Sequence, residues 1–542
     1  MEDHDSATAD AAPIPLQPDP AVQETTFAAD TAADLVLLEH EAIPENGSGP
    51  SRTTASYGAI ASLTSLKPHT PSPSRALAPD LLRGLLMLLM ALDHNALALH
   101  TWPHGTAYNT SELDSVPVTA WNRPIAYVIR TITHFCAPGF TFLLGMGVVY
   151  FGRSRTSERL NWGVGRMIRH FFLRAAVLVL VSEAMGFVAS EGKAWFFNIV
   201  LVALAVDYLV AGLMWLAVRG VERRVAGGLL KVLPEDEGDE ARRPLLRRGL
   251  SEGEGGRVEG VAPDRAIIRA ADVSWHALNV ALLGTAGVTI WWNVWLSPTG
   301  GHCGIDPVPI LPDSVWVRFW FYGLEGPHVI SGFPPMAWLS FAVLGLLYGR
   351  IILARSWSAP AITAGNALAG AAFSSIFVLT RLLRFGNLSE GCLQAPEHIG
   401  HIGNPYLASP ASFFYITKYP PDVAFWAFTM AGNFFLLALF SAIPPRIASK
   451  AFHVLLVFGT SALFFYVVHI FMLFGSAVVV IAWLGHNMDS KDPWTGEPSY
   501  GVDQLWAYFG NWALCLATLY PLCRWYGAFK KTREPDSIWR FF

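Results

Sequence analysis

The segment that decides the fold runs from Asp80 to His100 and reads DLLRGLLMLLMALDHNALALH. It is mostly apolar and about as long as the roughly 20 residues that an α-helix needs to cross a bilayer. Yet it carries Arg83, Asp93 and His94, and a charge at the centre of a bilayer costs about 2.5 to 3.5 kcal/mol. The segment therefore predicts a membrane helix whose ionisable residues serve a function.

The composition of the whole chain is that of an integral membrane protein. Of its 542 residues, 52% are hydrophobic and only 15% are charged, and the mean hydropathy is +0.37. Apolar runs of sufficient length predict an all-α fold, a polytopic transmembrane helix bundle of about ten spans. The spans are predicted at residues 80–100, 125–151, 168–190, 195–218, 273–296, 330–353, 360–380, 422–443, 453–484 and 503–523.

Composition also divides the chain into regions. Residues 1–78 are rich in Ala, Asp, Glu, Pro, Ser and Thr and are predicted to form a disordered cytosolic tail. Residues 79–218 hold the first four spans, and residues 219–272, with charges of both signs and many glycines, are predicted to be a cytosolic loop. Residues 273–529 hold the remaining spans, and residues 530–542 form a basic cytosolic tail.

The orientation follows from the distribution of Lys and Arg between the spans. Basic residues concentrate in the loops at 152–169 and 219–272 and in the C-terminal tail, whereas the alternate loops hold few. By the positive-inside rule, both termini are predicted to be cytosolic. We expect a multi-pass protein of an endomembrane, vacuolar or plasma membrane.

The opposite, non-cytosolic side carries candidates for covalent modification. The sequons at Asn109 and Asn387 fall there and are candidates for N-glycosylation. Cys303 and Cys392 are the cysteines of the long non-cytosolic loops, and an oxidising lumen would allow a disulfide between them.

One face of the first helix carries a stripe of polar and methionine side chains. At 1.5 Å per residue, His94 shares this face with Arg83 and lies about 16 Å from it along the axis. Asp93 lies about 100° round the helix from His94, so its partner is expected on another helix. The alternative for His94 is a polar contact that fixes helix packing. The stripe consists of Asp80, Arg83, Met87, Met90 and His94.

Two further spans contribute histidines at related depth. The second span has Arg130, His134 and Pro138 at i, i+4 and i+8, and the proline predicts a kink at His134. The ninth span adds Tyr466 and His469 near its middle. Each residue alone is as readily explained by packing, but together the three histidines predict a shared polar cavity. No cluster has the spacing of a metal site, so we predict no bound metal. We also expect no nucleic-acid partner.

Six motifs, in order, resemble those of the heparan-alpha-glucosaminide N-acetyltransferase-like family, and in particular its bacterial and fungal branch. The resemblance extends from about residue 78 to residue 532, apart from the 219–272 insert. The motifs are DLLRGLLMLLMALDH (80–94), RTITHFCAPGFTFLLGMG (130–147), GFPPMAWLSFAVLGLLYGR (332–350), FFYITKYPPDVAFW (413–426), TSALFFYVVHIFML (460–473) and YPLCRWYGAFKK (520–531).

The resemblance implies a transmembrane acyltransferase that moves an acyl group, typically acetyl from acetyl-CoA, to an acceptor across the bilayer. A wider group of membrane acyltransferases with a catalytic histidine in the first helix is also similar, and His94 has a comparable position. The family's own catalytic histidine lies in the loop after that helix, where this chain has His100 and His104 without the matching neighbours.

Our mechanistic hypothesis makes His94 the general base, because a neutral imidazole suits proton removal from an attacking amine or hydroxyl. His134 and Asp93 complete the predicted catalytic set. Arg83 is expected to bind a phosphate of CoA, with Tyr466 and His469 as further residues that contact the acyl donor. Cys136, two residues after His134, is an alternative nucleophile.

The same residues are compatible with other classes of function. Buried His, Asp and Arg side chains also occur in transporters and proton-coupled carriers, and a third class is a non-catalytic relative that binds acyl-CoA. For the acyltransferase, the expected partners are the lipid bilayer, acetyl-CoA and a small saccharide or similar acceptor. The sequence leaves the oligomeric state open, a homodimer included.

Overall fold

The structure of the protein is a computed structural model. The structure describes residues 77–108, 112–157, 160–190, 192–193, 195–198, 200–232, 265–303, 311–326, 328–491, 498–534, 537 and 539. Most of the predicted N-terminal tail, the sequon asparagine Asn109 and the middle of the predicted 219–272 loop lie outside the described residues.

The prediction of an all-α polytopic bundle is confirmed. In chain order, the helices are α1 (Leu77–Ala98), α2 (Pro124–Thr133), α3 (Cys136–Arg155), α4 (Val164–Ala189), α5 (Leu201–Val232), α6 (Arg265–Leu296), α7 (Val315–Phe321), α8 (Pro335–Ala354), α9 (Ala359–Leu383), α10 (Pro410–Phe414), α11 (Val423–Ala442), α12 (Pro445–Ala451), α13 (His453–Thr460), α14 (Ala462–Leu484) and α15 (Leu505–Lys531). The strands are β1 (Phe196–Asn198), β2 (Leu324–Gly326), β3 (Val329–Ser331), β4 (His486–Lys491) and β5 (Pro498–Gly501).

Nine helical segments of the described chain are long and apolar enough to cross a membrane, with α2 and α3 counted together as one. The protein is therefore a multi-pass membrane protein. The tenth predicted span, residues 503–523, forms α15 but is not among the nine, because Asn, Pro, Trp and Tyr residues lower its hydropathy. The cytosolic location of the termini stays a prediction.

Helix α15 nevertheless belongs to the same bundle and runs antiparallel to α1. The Tyr508 hydroxyl donates a hydrogen bond to the Leu92 carbonyl over 2.8 Å, and the Trp512 indole donates to the Leu88 carbonyl over 3.2 Å. The amide of Asn511 donates to the side-chain oxygen of Asn95 over 2.7 Å. These contacts satisfy polar groups between two helices, as the absence of water in a bilayer core requires.

One predicted loop and one predicted span differ from the hydropathy pattern. The predicted loop at 219–272 is helical at both ends, because α5 continues to Val232 and α6 begins at Arg265. The predicted ninth span, 453–484, is divided at Ser461 into α13 and α14. Close packing of α13 on α1 accompanies this division: a Cβ atom added at Gly84 would overlap the backbone of Leu455.

The loops at one end of the bundle are bound to one another and form what we call the disulfide face, made of the described parts of residues 99–123, 297–334, 384–422 and 485–504. Cys303 and Cys392 form a disulfide there. The amide of Val118 donates to the Cys392 carbonyl over 2.8 Å, and the amide of Lys418 donates to the Glu112 carbonyl over 3.0 Å. The 99–123 segment is therefore fixed over the ends of the helices.

The structure argues against the glycosylation predicted at Asn387. Its side chain is only 4% exposed. The amide nitrogen donates to the Thr380 carbonyl over 2.9 Å, and the amide oxygen accepts from Arg381 over 2.6 Å. Glycosylation needs an accessible amide nitrogen, whereas this one is a buried structural group that fixes the turn after α9.

Candidate functional site

A buried arginine organises a charged cluster where α1 and α2 meet the disulfide face. Arg130 of α2 donates to the carboxylate of Asp93 over 2.7 Å and to that of Glu112 over 2.8 Å. The hydroxyl of Thr133 donates to Asp93 over 3.1 Å. The expectation that Asp93 has its partner on another helix is confirmed. Bidentate and charge-assisted bonds of this kind hold both carboxylates in fixed positions.

The sequence pattern did not single out Glu112, the second carboxylate. Its side chain is fully buried and accepts a hydrogen bond from the backbone amide of Thr106 over 2.7 Å. Arg130 and His134 lie beside it and hold the pKa of its carboxyl well below the usual range, against the effect of burial. An acid in a loop resembles a solvated residue, so only the folding of the loop onto the helices reveals it.

His104, in the loop after α1, approaches Asp93 from the disulfide face. Its Nε2 atom lies 4.0 Å from the Asp93 carboxylate, and 27% of the side chain is exposed. Burial, aided by the charge of Arg130, lowers the pKa of His104 to about 3, although Asp93 and Glu112 act in the opposite direction. His104 is therefore a neutral imidazole at physiological pH, reachable from outside the bundle.

His94 of α1 pairs with His469 of α14. The Nδ1 atom of His94 lies 2.9 Å from Nε2 of His469, and the two rings stack with centroids 5.1 Å apart. The structure thus brings together one residue assigned to catalysis and one assigned to the acyl donor. Tyr466 lies near this pair, with its ring 5.7 Å from that of His469.

His134 lies on the sealed side of the cluster. It is 1% exposed, and its Nε2 atom lies 3.6 Å from the carboxylate of Glu112. Neither ring nitrogen has a hydrogen-bond partner within the described part of the chain. Its ring packs edge-on against Phe425. The three histidines of the predicted shared cavity therefore lie in two environments: His94 pairs with His469, whereas His134 lies behind Glu112.

Arg83, the predicted CoA-binding residue, lies near the opposite end of α1. Its guanidinium donates to Asp80 over 2.9 Å and to the Gly459 carbonyl over 3.4 Å. The side chain is 26% exposed. Eleven residues along the helix separate it from His94, which corresponds to about 16 Å.

Lys418 is a second charged residue near the cluster to which the sequence pattern gave no role. It is only 8% exposed, and its ammonium lies 5.1 Å from the Tyr419 ring and 5.7 Å from the Phe333 ring. Within the described residues it forms no ion pair with a carboxylate. Its charge opposes protonation of His104. Lys418 and Arg130 together balance the charges of Asp93 and Glu112. Of these two cations, only Arg130 is bound to the carboxylates.

Two other expectations concern Cys136 and a metal. The Cys136 thiol is buried and donates to the Leu86 carbonyl over 3.4 Å, so its alternative assignment as a nucleophile lacks the required access. Within the described residues, no group of three His, Cys, Asp or Glu side chains could hold a metal ion.

Two cavities of the described structure lie away from this cluster. An apolar cleft of about 190 Å³ lies between α5 and α6, and a space of about 20 Å³ lies beside Asp114 and Asn293.

No family model matches this chain, and no curated protein matches it. The resemblance to the acetyltransferase-like family therefore remains a prediction carried by the six sequence motifs.

Proposed function

We propose that this protein is a transmembrane acyltransferase that moves an acyl group, such as acetyl, from acyl-CoA to an amine or hydroxyl acceptor at the disulfide face. One observation carries the proposal: the carboxylate of Asp93, fixed by Arg130, lies 4.0 Å from the partly exposed imidazole of His104, and Asp93 directly precedes His94 in α1. General bases and the groups that stabilise their protonated forms are arranged in this way.

The proposed reaction is a direct transfer. The acceptor nitrogen or oxygen attacks the thioester carbonyl carbon while its proton passes to His94. When the tetrahedral intermediate collapses, the carbon–sulfur bond breaks and the CoA thiolate takes the proton back from the His94 imidazolium. Asp93, fixed by Arg130 and adjacent to His94 in the chain, attracts that imidazolium, because opposite charges interact strongly where water is scarce.

Two residues at the disulfide face complete the proposed site. His104 is accessible and neutral, so it can accept a hydrogen bond from the acceptor and hold it beside the thioester. Lys418 is the cation available to the negative charge that develops on the carbonyl oxygen, because Arg130 is already bound to both carboxylates. Preorganised charge of this kind is commonly a large part of catalysis.

The proposed orientation places the disulfide face in the lumen or outside the cell and the Arg83 end in the cytosol. The Cys303–Cys392 disulfide supports it, because disulfides persist in oxidising compartments. The guanidinium of Arg83, which is 26% exposed and bonded to Asp80, is the group that would contact a CoA phosphate. A glycan at Asn109, and a location in an endomembrane, vacuolar or plasma membrane, are parts of this proposal.

The experiment uses the purified protein in proteoliposomes oriented with the Arg83 end outside. Radiolabelled acetyl-CoA is added outside, and an amino sugar, a neutral sugar or an alcohol is enclosed within. We expect label to appear covalently on an enclosed acceptor without entry of intact acetyl-CoA. Passage of an unmodified solute across the bilayer, with no acetylated product from any acceptor class, would instead support the carrier.

A further inference from the structure

The hydrogen bonds of His469 fix the position of its own proton. Its Nδ1 atom lies 3.0 Å from the backbone carbonyl oxygen of Phe465, one turn earlier in α14. A carbonyl oxygen only accepts, so Nδ1 of His469 must carry a hydrogen and donate it. In the neutral ring, Nε2 of His469 is then the nitrogen with the lone pair.

The same reasoning extends to His94. Because Nε2 of His469 accepts, the Nδ1 atom of His94, 2.9 Å away, must be the donor. We infer that His469 is a positioning residue that holds His94 in the Nδ1-protonated tautomer and leaves Nε2 of His94 as the proton acceptor. The inference deepens the proposed function and rests on it, because it assigns the reacting nitrogen of the proposed base.

The packing around the pair makes this arrangement rigid. His469 is fully buried and its ring stacks on Phe465, with centroids 5.3 Å apart. The His94 and His469 rings are within 14° of parallel. His94 itself is only partly buried, so its other edge can be reached by a reactant. The ring is thus held on one side and open on the other.

The end of the hydrogen-bond chain limits what the pair can do. When Nε2 of His94 takes a proton, the imidazolium continues to donate through Nδ1 to His469. Beyond His469 the chain ends at the Phe465 carbonyl, which cannot accept a proton covalently and pass it on. The proton therefore leaves through Nε2 of His94, the same nitrogen that accepted it. Transfer to a departing thiolate requires this route, whereas a proton path along α14 would require the proton to continue past His469.

Two near-isosteric substitutions separate the functions of the two nitrogens of His469. The side-chain amide of His469→Gln reaches the place of Nε2 and can offer its oxygen to His94. The amide of His469→Asn reaches only the place of Nδ1 and offers His94 no acceptor. We expect His469→Gln to keep kcat within about tenfold of the wild type, whereas His469→Asn and His469→Ala lose about 100-fold or more with little change in KM.

Thermal midpoints of the variants serve as the check on folding. Equal kcat for the Gln and Asn variants, when both are folded, would contradict a tautomer-fixing role. Full activity of His469→Ala would overturn it as well.

A measurement that needs no catalytic turnover tests the tautomer of His94 independently of the proposed function. In protein labelled with ¹⁵N-histidine, the His94 resonances are identified by their loss in His94→Gln. We expect an unprotonated Nε2 and a protonated Nδ1 in the wild type, and a mixture of tautomers in His469→Asn. A protonated Nε2 in the neutral wild-type ring would overturn the inference. If no acceptor is acylated, the proposed function fails, but the nitrogen resonances still decide the tautomer.

Discussion

Two buried arginines, one near each end of the helix bundle, bind carboxylates in different surroundings. Arg130, below the disulfide face, binds two carboxylates, and His104 and His134 lie within 4.0 Å of those carboxylates. Arg350 of α8, near the opposite end, binds one carboxylate, that of Glu222 in α5, over 3.2 Å. It also donates to the Asn279 amide oxygen in α6 over 2.9 Å.

The difference lies in what surrounds each ion pair. Arg350 connects three helices, so its bonds are sufficiently explained by packing. Arg130 fixes two acids beside two imidazoles, and one of these, that of His104, is partly exposed. The comparison teaches that burial of a charge alone does not indicate chemistry in a membrane protein. The indication comes from a titratable neighbour that a reactant can reach.

The largest expected effect on stability comes from removal of Arg130. Arg130→Met leaves Asp93 and Glu112 buried without their cation, and loss of one partner of a buried ion pair costs about 3 to 5 kcal/mol. We expect a large fall in the thermal midpoint in detergent, together with loss of acyl transfer. Arg350→Met is the matched variant: it also leaves a buried carboxylate, that of Glu222, without its cation and should lower the thermal midpoint, but the transfer rate per folded molecule should stay that of the wild type. A loss of rate per folded molecule as large as that of Arg130→Met would remove the distinction between the two sites.

Removal of the Lys418 charge should reduce the rate rather than the stability. Lys418→Met deletes the ammonium that we assign to the developing oxyanion, and loss of one such donor commonly costs roughly 100-fold in kcat. Lys418→Arg keeps the charge and should retain more activity. Initial rates of acetyl transfer measure both. Equal rates for the Met and Arg variants would show that the charge of Lys418 has no part in the reaction.

At Arg350 we expect a smaller effect, and one on stability rather than on the transfer rate. Glu222→Gln removes a charge-assisted hydrogen bond to Arg350, which corresponds to about 1.5 to 3 kcal/mol. The thermal midpoint should fall, while the rate per folded molecule should remain that of the wild type. A specific loss of rate without loss of stability would assign chemistry to the Arg350 end as well.

The smallest effect is a pH dependence of stability at His104. Its pKa of about 3 in the folded protein lies below the ordinary value of 6.5, so between these values the unfolded chain binds a proton that the folded chain does not. This histidine therefore lowers stability as the pH falls from about 6.5, by at most about 1.4 kcal/mol per pH unit. Thermal midpoints measured from about pH 8 to pH 5 should fall less steeply in His104→Gln. If the thermal midpoints of the wild type and of His104→Gln fell equally with pH, His104 would not contribute to the pH dependence of stability.

Much of the bundle could be predicted from the sequence, because apolar length is what a bilayer selects. The all-α class, the nine long apolar segments and an inter-helix partner for Asp93 follow from hydropathy and helical spacing. Helix α15 is less apolar than the rest, and its place beside α1 depends on hydrogen bonds to the α1 backbone that no local pattern reveals.

The site was less predictable because it is assembled over long distances in the chain. His94 and His469 are 375 positions apart, and only the packing of α14 on α1 joins them. Glu112 and Lys418 belong to loops, where charged residues are ordinarily solvated, and a backbone hydrogen bond between them closes the disulfide face over the cluster. His134 had the right helical position, but its ring is sealed behind Glu112.

The most direct test of the central claim compares two single histidine substitutions in the same acetyl-transfer assay. His94 belongs to the proposed site, whereas His453, at the start of α13, is bonded to the Tyr520 hydroxyl over 3.2 Å and has no proposed role in the reaction. We predict that His94→Ala lowers the rate per folded molecule by about 10² to 10⁴, as loss of a general base does, and that His453→Ala keeps the wild-type rate. Full transfer activity in His94→Ala would contradict the account.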